Sequence, residues 1–274
     1  MALRDIDLSV RVTALSVIAV IDKTGILQDE DEEPRDKVAR LMFDHEPRVR
    51  KAVGGFVHGM WEEKATKLKT DWAGARGSKK KRGAGIVEGE MNAMLEWKAL
   101  ATLLVDTANA LEGPAAEAST SKQSSLVPAS SQSMTRATAA VEAIWERFEA
   151  LQEWEKLVDY LLLDHSTAEQ DMWLLNDDEE DFVIQVVIAC IKKEDKVSLS
   201  EPSVMDRAEP YKEDQLDART KTLMKILPRL FTKHQADTAR MAGILSIPEH
   251  MNLGVYLDMR KSSVSLAALG LSFC

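Results

Sequence analysis

The sequence predicts an all-α protein built from stacked helices. Hydrophobic residues make up 45% of the 274 residues but aromatic residues only 5%, so aliphatic side chains must form most of the core, as in helix packing. Along most of the chain, apolar residues recur at intervals of three and four, which places them on one helical face. No segment shows the period of two that is typical of a half-buried strand.

The first three helices are predicted over residues 8–21, 34–43 and 47–69. Gly25 ends the first helix, and Pro34, preceded by the acidic run 29–33, suits the first turn of the second. The glycine pair Gly54 and Gly55 should let a neighbouring helix approach the third closely. The inner face of the first helix is predicted at Val10, Ala14, Val17, Ile18 and Ile21. That of the third is predicted at Val49, Val53, Phe56, Val57 and Met60.

An internal echo relates the first and third helices at an offset of 39 residues. In both, an aspartate precedes a Val-Arg pair by five residues, namely Asp5 with Val10-Arg11 and Asp44 with Val49-Arg50. This period fits HEAT and armadillo units, in which stacked helix pairs share a continuous core. The arginine could bridge to an aspartate of the adjoining turn and align the repeats, although a coincidence of common dipeptides is the alternative. The predicted fold class is therefore an all-α, HEAT-type helical-repeat solenoid segment.

Composition divides the chain into four parts. Residues 1–111 are predicted to form HEAT-like repeats, with a basic Gly- and Lys-rich loop at 70–90 and a helix over 91–111. Residues 112–134 form a low-complexity, disordered insertion, because seven serines and one threonine between Ser119 and Ser133 leave little apolar surface to offset the ordering entropy. Residues 135–261 continue the repeats, and residues 262–274 are an atypical tail.

Further helices are predicted within the continuing repeats, over residues 136–151, 154–163, 178–193, 214–234, 236–245 and 253–260. Asn176 and the acids after it should cap the helix at 178–193. A polar loop containing Pro202 and Pro210 should separate that helix from the next. Pro228 should kink or split the helix at 214–234.

The formal net charge of -10 means that contact with nucleic acid must come from a local basic patch. Residues 64–82 contain eight basic residues against one acid, Asp71. A Gly-flanked Lys-Lys-Lys-Arg loop can follow phosphates without reading sequence; a nuclear-import signal and a plain solvated loop are the alternatives. The candidate DNA-binding residues are Lys64, Lys67, Lys69, Arg76, Lys79, Lys80, Lys81 and Arg82.

Signatures of catalysis, metal binding and membrane insertion are missing from the sequence. The acidic runs at 29–33 and 176–181 lack the order of a calcium loop, the five histidines are scattered, and nucleotide-binding and hydrolase motifs are absent. No uncharged apolar run reaches about 18 residues, and charges interrupt the N-terminus early. We therefore expect an intracellular, non-enzymatic protein with no catalytic or metal-binding residues, no cofactor and no small-molecule substrate.

Three separated stretches resemble the stromal-antigen (SA/STAG) family of cohesin subunits, over roughly Asp5 to Lys261. The first, DIDLSVRVTALSVIAVIDKTGILQDEDEEPRDKVARLMFDHEPRVRKAVGGFV, is similar to the helices that follow the family's stromalin region. The second is AVEAIWERFEALQEWEKLVDYLLLDHS, with two tryptophans nine residues apart. The third includes EDFVIQVVIACIKK and QLDARTKTLMKILPRLFTKHQADTARMAGILSIPEHMNLGVYLDMRK, with its Asp-x-Arg-Thr-Lys, Leu-Pro-x-Leu and Ile-Pro features.

The resemblance implies a scaffold on the chromosome, in the nucleus, that supports sister-chromatid cohesion. Its partners would be the cohesin kleisin subunit and ring, together with DNA. The family's groove for short aromatic peptides lies upstream of the first stretch and much of its kleisin surface in more C-terminal repeats, so no residue is assigned to either. Lys79 to Arg82 lie where family members also carry a basic loop. The alternative is a generic α-solenoid adaptor in transport or signalling, which binds only protein.

Overall fold

The structure, a computed structural model, describes residues 3, 5–24, 32–78, 88–111, 135–165, 172–200 and 208–258. Within these residues there is no strand, and the all-α prediction is confirmed. The helices in chain order are α1 (Leu8–Lys23), α2 (Glu32–Ala39), α3 (Pro47–Ser78), α4 (Glu88–Asn109), α5 (Arg136–Ile144), α6 (Trp154–Leu161), α7 (Asp177–Ser200), α8 (Ala208–His234), α9 (Thr238–Ile244) and α10 (253–258). Short 3₁₀ turns lie at Arg40–Phe43, Glu149–Glu153 and Ile247–His250.

The chain forms two compact units, Met1–Cys190 and Ile191–Cys274. In the first unit, α3 is the central helix and packs against α1, α4, α5 and the 3₁₀ turn Arg40–Phe43. Its buried face consists mainly of aliphatic side chains, as the low aromatic content predicts. In the second unit, α8 packs against α9, and the buried side chains include Leu223, Ile226, Leu227, Leu230, Ile244 and Ile247.

The predicted inner face of α3 is largely confirmed. Val49, Val53, Phe56 and Val57 are buried, and Met60 is half-buried. Gly54 lies against α5 so closely that an added Cβ would overlap the carbonyl oxygen of Ala143. Gly55 has open space around its Cα, so the prediction that it also permits close approach is wrong. One glycine of the pair, not both, creates this contact.

The predicted inner face of α1 is wrong in part. Leu15 is the fully buried residue of this helix, whereas Val10 and Val17 are 41% and 52% exposed. Apolar residues surround α1 on nearly all sides, so the three-and-four spacing fits more than one face. The side that faces α3 was therefore not fixed by periodicity alone.

Several helix limits differ from those predicted. The loop predicted to begin at residue 70 is helical as far as Ser78, and α4 begins at Glu88; residues 79–87 lie outside the described residues. Each of the two glycines at 74 and 77 costs about 1 kcal/mol in a helix, and the good helix formers around them tolerate that cost. The helix predicted over 136–151 ends at Ile144, where a turn leads into Glu149–Glu153 and buries Phe148 and Leu151.

Proline positions in α8 also differ from the prediction. Pro210 lies in the first turn of this helix, where the missing N–H costs no hydrogen bond, so it is not a loop residue. Pro228 is exposed and lies within the continuous helix, so it does not split the helix. The helix predicted over 178–193 runs on to Ser200. The low-complexity insertion (112–134) and the tail (262–274) lie outside the described residues.

Candidate nucleic-acid interface and the contacts between repeats

Three of the eight candidate DNA-binding side chains are described, and all three lie on the middle of α3. Lys64 forms an ion pair with Asp106 at 2.6 Å, and Lys69 forms one with Glu96 at 2.5 Å. Both acids belong to α4, so these two lysines join consecutive helices. Lys67 is exposed and makes no ion pair with any described residue.

The rest of the basic stretch follows directly after this part of α3. Arg76 lies on the last turns of the helix, but its side chain is not among those described, and Lys79, Lys80, Lys81 and Arg82 lie outside the described residues. A phosphate approaching Lys64 or Lys69 would have to compete with a carboxylate that is already bound. Two of the described lysines therefore bind α4, whereas Lys67 does not.

The repeated pattern of an aspartate followed by Val-Arg corresponds to a direct contact between its two copies. Arg11 of α1 forms an ion pair with Asp44, which lies in the turn before α3. Asp44 is almost fully buried, and its other carboxylate oxygen accepts the backbone N–H of Glu46 at 2.9 Å. The arginine of the first copy thus binds the aspartate of the second, and the predicted bridge is confirmed at this position.

Arg50, the arginine of the second copy, is fully buried and has a different partner. Its guanidinium donates to the carbonyl oxygens of Asp44 at 2.7 Å and His45 at 2.9 Å, and pairs with Glu142 on α5. A buried guanidinium is stable only when such partners replace its lost water. Arg11 and Arg50 together connect α1, α3 and α5, which are separated in sequence by loops and by the low-complexity insertion.

The end of α4 and the start of α5, on either side of the low-complexity insertion, lie close together. Arg136, at the start of α5, donates from Nη1 to the carbonyl oxygen of Ala108 near the end of α4, at 3.3 Å. Lys51 of α3 pairs with Glu146 at 2.7 Å. The chain therefore leaves the repeats after α4 and re-enters them close to the same point.

A buried glutamate joins α4 to the start of α7. The carboxylate of Glu179 pairs with Lys98 and accepts the hydroxyl of Thr102 at 2.5 Å. It also accepts the backbone N–H of Asn176 at 2.8 Å, while the Asn176 side chain accepts the N–H of Glu179 at 2.8 Å. This reciprocal pair is a capping box, and it confirms the predicted capping by Asn176.

Tyr160 and His165 hold the chain on either side of residues 166–171. The Tyr160 hydroxyl donates to the carbonyl oxygen of Trp173 at 2.6 Å. Nδ1 of His165 accepts the N–H of Leu175 at 3.1 Å, which leaves Nε2 to donate to the Tyr160 carbonyl oxygen at 3.0 Å. Burial, with a smaller contribution from the charge of Glu179, raises the pKa of Tyr160, so its hydroxyl stays protonated.

In the second unit, the Asp-x-Arg-Thr feature of α8 holds the Ile-Pro segment in place. Arg219 pairs with Asp195 and donates to the carbonyl oxygen of His250 at 3.1 Å, and His250 Nδ1 is 2.5 Å from the Asp195 carboxylate. Thr220 Oγ1 accepts the N–H of Asn252 at 2.8 Å, and Asn252 Nδ2 donates to Asp217 at 2.7 Å. These residues therefore have a structural role in the second unit.

No group of three or more His, Cys, Asp or Glu side chains is arranged to hold a metal ion within the described residues. None of the helices in that part of the chain has the length and apolar character that a bilayer crossing requires.

Buried arginine contacts between stacked helices, with an echo of 39 residues, define a HEAT-type helical-repeat protein. Residues 140–270 match the family described as cohesin subunit SCC3/SA, HEAT-repeats domain. This match supports a partial member of that family, which is a family of structural cohesin subunits. The match covers the second and third resembling stretches; the resemblance of the first stretch stays a prediction.

No curated protein matches the chain in sequence. No solved structure matches it either.

Proposed function

We propose that this chain is a scaffold segment of a cohesin subunit that supports sister-chromatid cohesion in the nucleus. The observation that carries the proposal is the match of residues 140–270 to the SCC3/SA HEAT-repeat domain. In this role the segment helps to dock the subunit on the kleisin-closed ring and to hold DNA against it. The ion pairs of Arg11 and Arg50 support such a role, because they fix the spacing of the stacked helices in the first unit.

For DNA, we propose contact through the basic stretch at the end of α3, chiefly Lys79, Lys80, Lys81 and Arg82. Lys67 extends it on the exposed side of α3. Lys64 and Lys69 contribute less, because Asp106 and Glu96 already neutralise them. Contact of this kind is electrostatic and independent of DNA sequence, so it weakens steeply as salt rises.

The test is duplex binding by the full chain with Lys79, Lys80, Lys81 and Arg82 replaced by Glu. We expect weaker binding and a shallower dependence of affinity on salt, with helix content unchanged by circular dichroism. The matched control replaces Lys23, Lys37, Lys51 and Lys156 by Glu, since these are exposed lysines outside the basic stretch. Equal DNA retention by the parent chain and the loop variant would contradict the proposed contact.

A generic α-solenoid adaptor of transport or signalling is the second candidate function. It shares the helical repeats and the exposed lysines but binds only protein. DNA affinity that is negligible at low salt, in the parent chain itself, would favour the adaptor.

A further inference from the structure

Helix α8 contains a run without acidic residues that is unusual in a chain of net charge -10. From Ala218 to Ala236 there is no Asp or Glu, whereas five lysines and arginines occur. These cations are spread along the helix and do not form a dense basic run. Four of them follow at intervals of four residues, namely Lys221, Lys225, Arg229 and Lys233.

The interval of four residues places these cations along one side of a continuous helix. With a rise of about 1.5 Å per residue, successive members are about 6 Å apart along the axis and the row spans about 18 Å. Lys221, Lys225 and Arg229 are exposed, and Lys233 is half-buried near the end of the helix. We call these four residues the α8 cation row.

Folding of the second unit does not account for the first two members of the row. Arg219, the remaining cation of the run, is buried and paired with Asp195 and Glu194. Lys221 and Lys225, in contrast, make no ion pair with any described residue. Lys233 favourably opposes the negative end of the helix dipole, but Lys225 lies more than two turns before that end, where the effect has faded.

The neighbouring exposed positions on this side of α8 decide which partner the row fits. Pro228 and Thr232 lie between the cations, and neither provides a large apolar anchor. Stable protein partners usually bury aromatic or aliphatic anchors at the centre of an interface. A line of point charges without anchors instead suits phosphates, which are held by charge and release counterions.

We infer that the α8 cation row is a second contact for the phosphodiester backbone of duplex DNA, carried by the unit Ile191–Cys274. It is distinct from the proposed Lys79–Arg82 contact, which belongs to the unit Met1–Cys190. Lysines act here as point charges and read no base edges, so the contact is independent of DNA sequence. The inference goes beyond the proposed function, because it assigns DNA binding to a surface with no dense basic motif.

The test replaces Lys221 and Lys225 by Gln in the full chain and measures duplex DNA affinity by fluorescence anisotropy over a series of NaCl concentrations. If each lysine contacts one phosphate, the slope of log affinity against log salt becomes shallower by about 1.8. The control variant replaces Lys51 and Lys156 by Gln. These lysines are exposed but paired with Glu146 and Glu153, and the change in net charge is the same. Its slope is expected to equal that of the parent chain.

The outcomes separate this inference from the proposed function. An unchanged slope in K221Q/K225Q, with a reduced slope in the Lys79–Arg82 variant, overturns the α8 contact and keeps the loop contact. A reduced slope in K221Q/K225Q, with an unchanged slope in the Lys79–Arg82 variant, supports the α8 contact and overturns the Lys79–Arg82 contact. Loss of binding to a polyglutamate peptide in K221Q/K225Q, with DNA binding unchanged, also overturns the inference, because the row would then serve an acidic protein segment.

Discussion

At the scale of single residues, Gly54 and Gly55 have opposite effects although they are adjacent on α3. The Cα of Gly54 faces the backbone of Ala143 on α5, and the Cα of Gly55 faces open space. A backbone carbonyl cannot rotate away as a flexible side chain can. Gly54 is therefore required by packing, whereas Gly55 only lowers the helix propensity of α3.

Replacing Gly54 by Ala is expected to destabilise the first unit by about 2 kcal/mol or more, because α3 and α5 must move apart. Replacing Gly55 by Ala is expected to stabilise it by up to about 1 kcal/mol, since alanine is the better helix former. Chemical denaturation of the two variants measures both effects. Equal changes in the midpoint would contradict the packing of α5 on Gly54.

Arg50 contributes to stability through its buried position and not through charge alone. Its truncation to Ala removes the guanidinium that pairs with Glu142 and donates to two carbonyl oxygens, so we expect a loss of about 3–5 kcal/mol. Arg48 is the matched control, because it lies on the same helix but is exposed, and Arg48→Ala should change stability by no more than about 0.5 kcal/mol. Thermal unfolding of the pair gives the comparison; similar losses would show that Arg50 is not a structural link.

At the scale of elements, helix existence could be predicted from the sequence, and helix orientation could not. Periodicity located α1, but Val10 and Val17 are exposed, because the helix is apolar on several sides and the position of α3 decides which side is buried. The extension of α3 to Ser78 was missed because the glycines at 74 and 77 suggest a loop. Pro228 was expected to kink or split α8, and the helix continues through it.

In the candidate site, too, features of one segment could be predicted from the sequence, whereas most contacts between distant segments could not. The basic stretch is visible as a run of lysines, but the pairing of Lys64 with Asp106 and Lys69 with Glu96 depends on how α3 meets α4. The contact of Arg11 with Asp44 could be predicted, since the echo placed both residues at the start of helices. The partner of Arg50 could not be predicted, because Glu142 lies beyond the low-complexity insertion.

At the scale of the whole molecule, the contact between Ala108 and Arg136 predicts that residues 112–134 are dispensable for folding. Because the described chain on either side lies close together, a linker of about six Gly and Ser residues can join it. Shortening the connection should leave the free energy of unfolding unchanged or raise it by no more than about 1 kcal/mol. Denaturant unfolding of this deletion against the parent chain measures the effect. A loss of cooperative unfolding would mean that residues 112–134 contribute to the core.

We propose that this chain is part of a cohesin scaffold, because residues 140–270 match the SCC3/SA HEAT-repeats domain. The most direct measurement is affinity capture of the tagged full-length gene product from dividing cells, followed by mass spectrometry of the chains that co-purify. We expect the kleisin and the other ring subunits of cohesin to co-purify in stoichiometric amounts. Recovery of a transport or signalling complex without any cohesin subunit would contradict it.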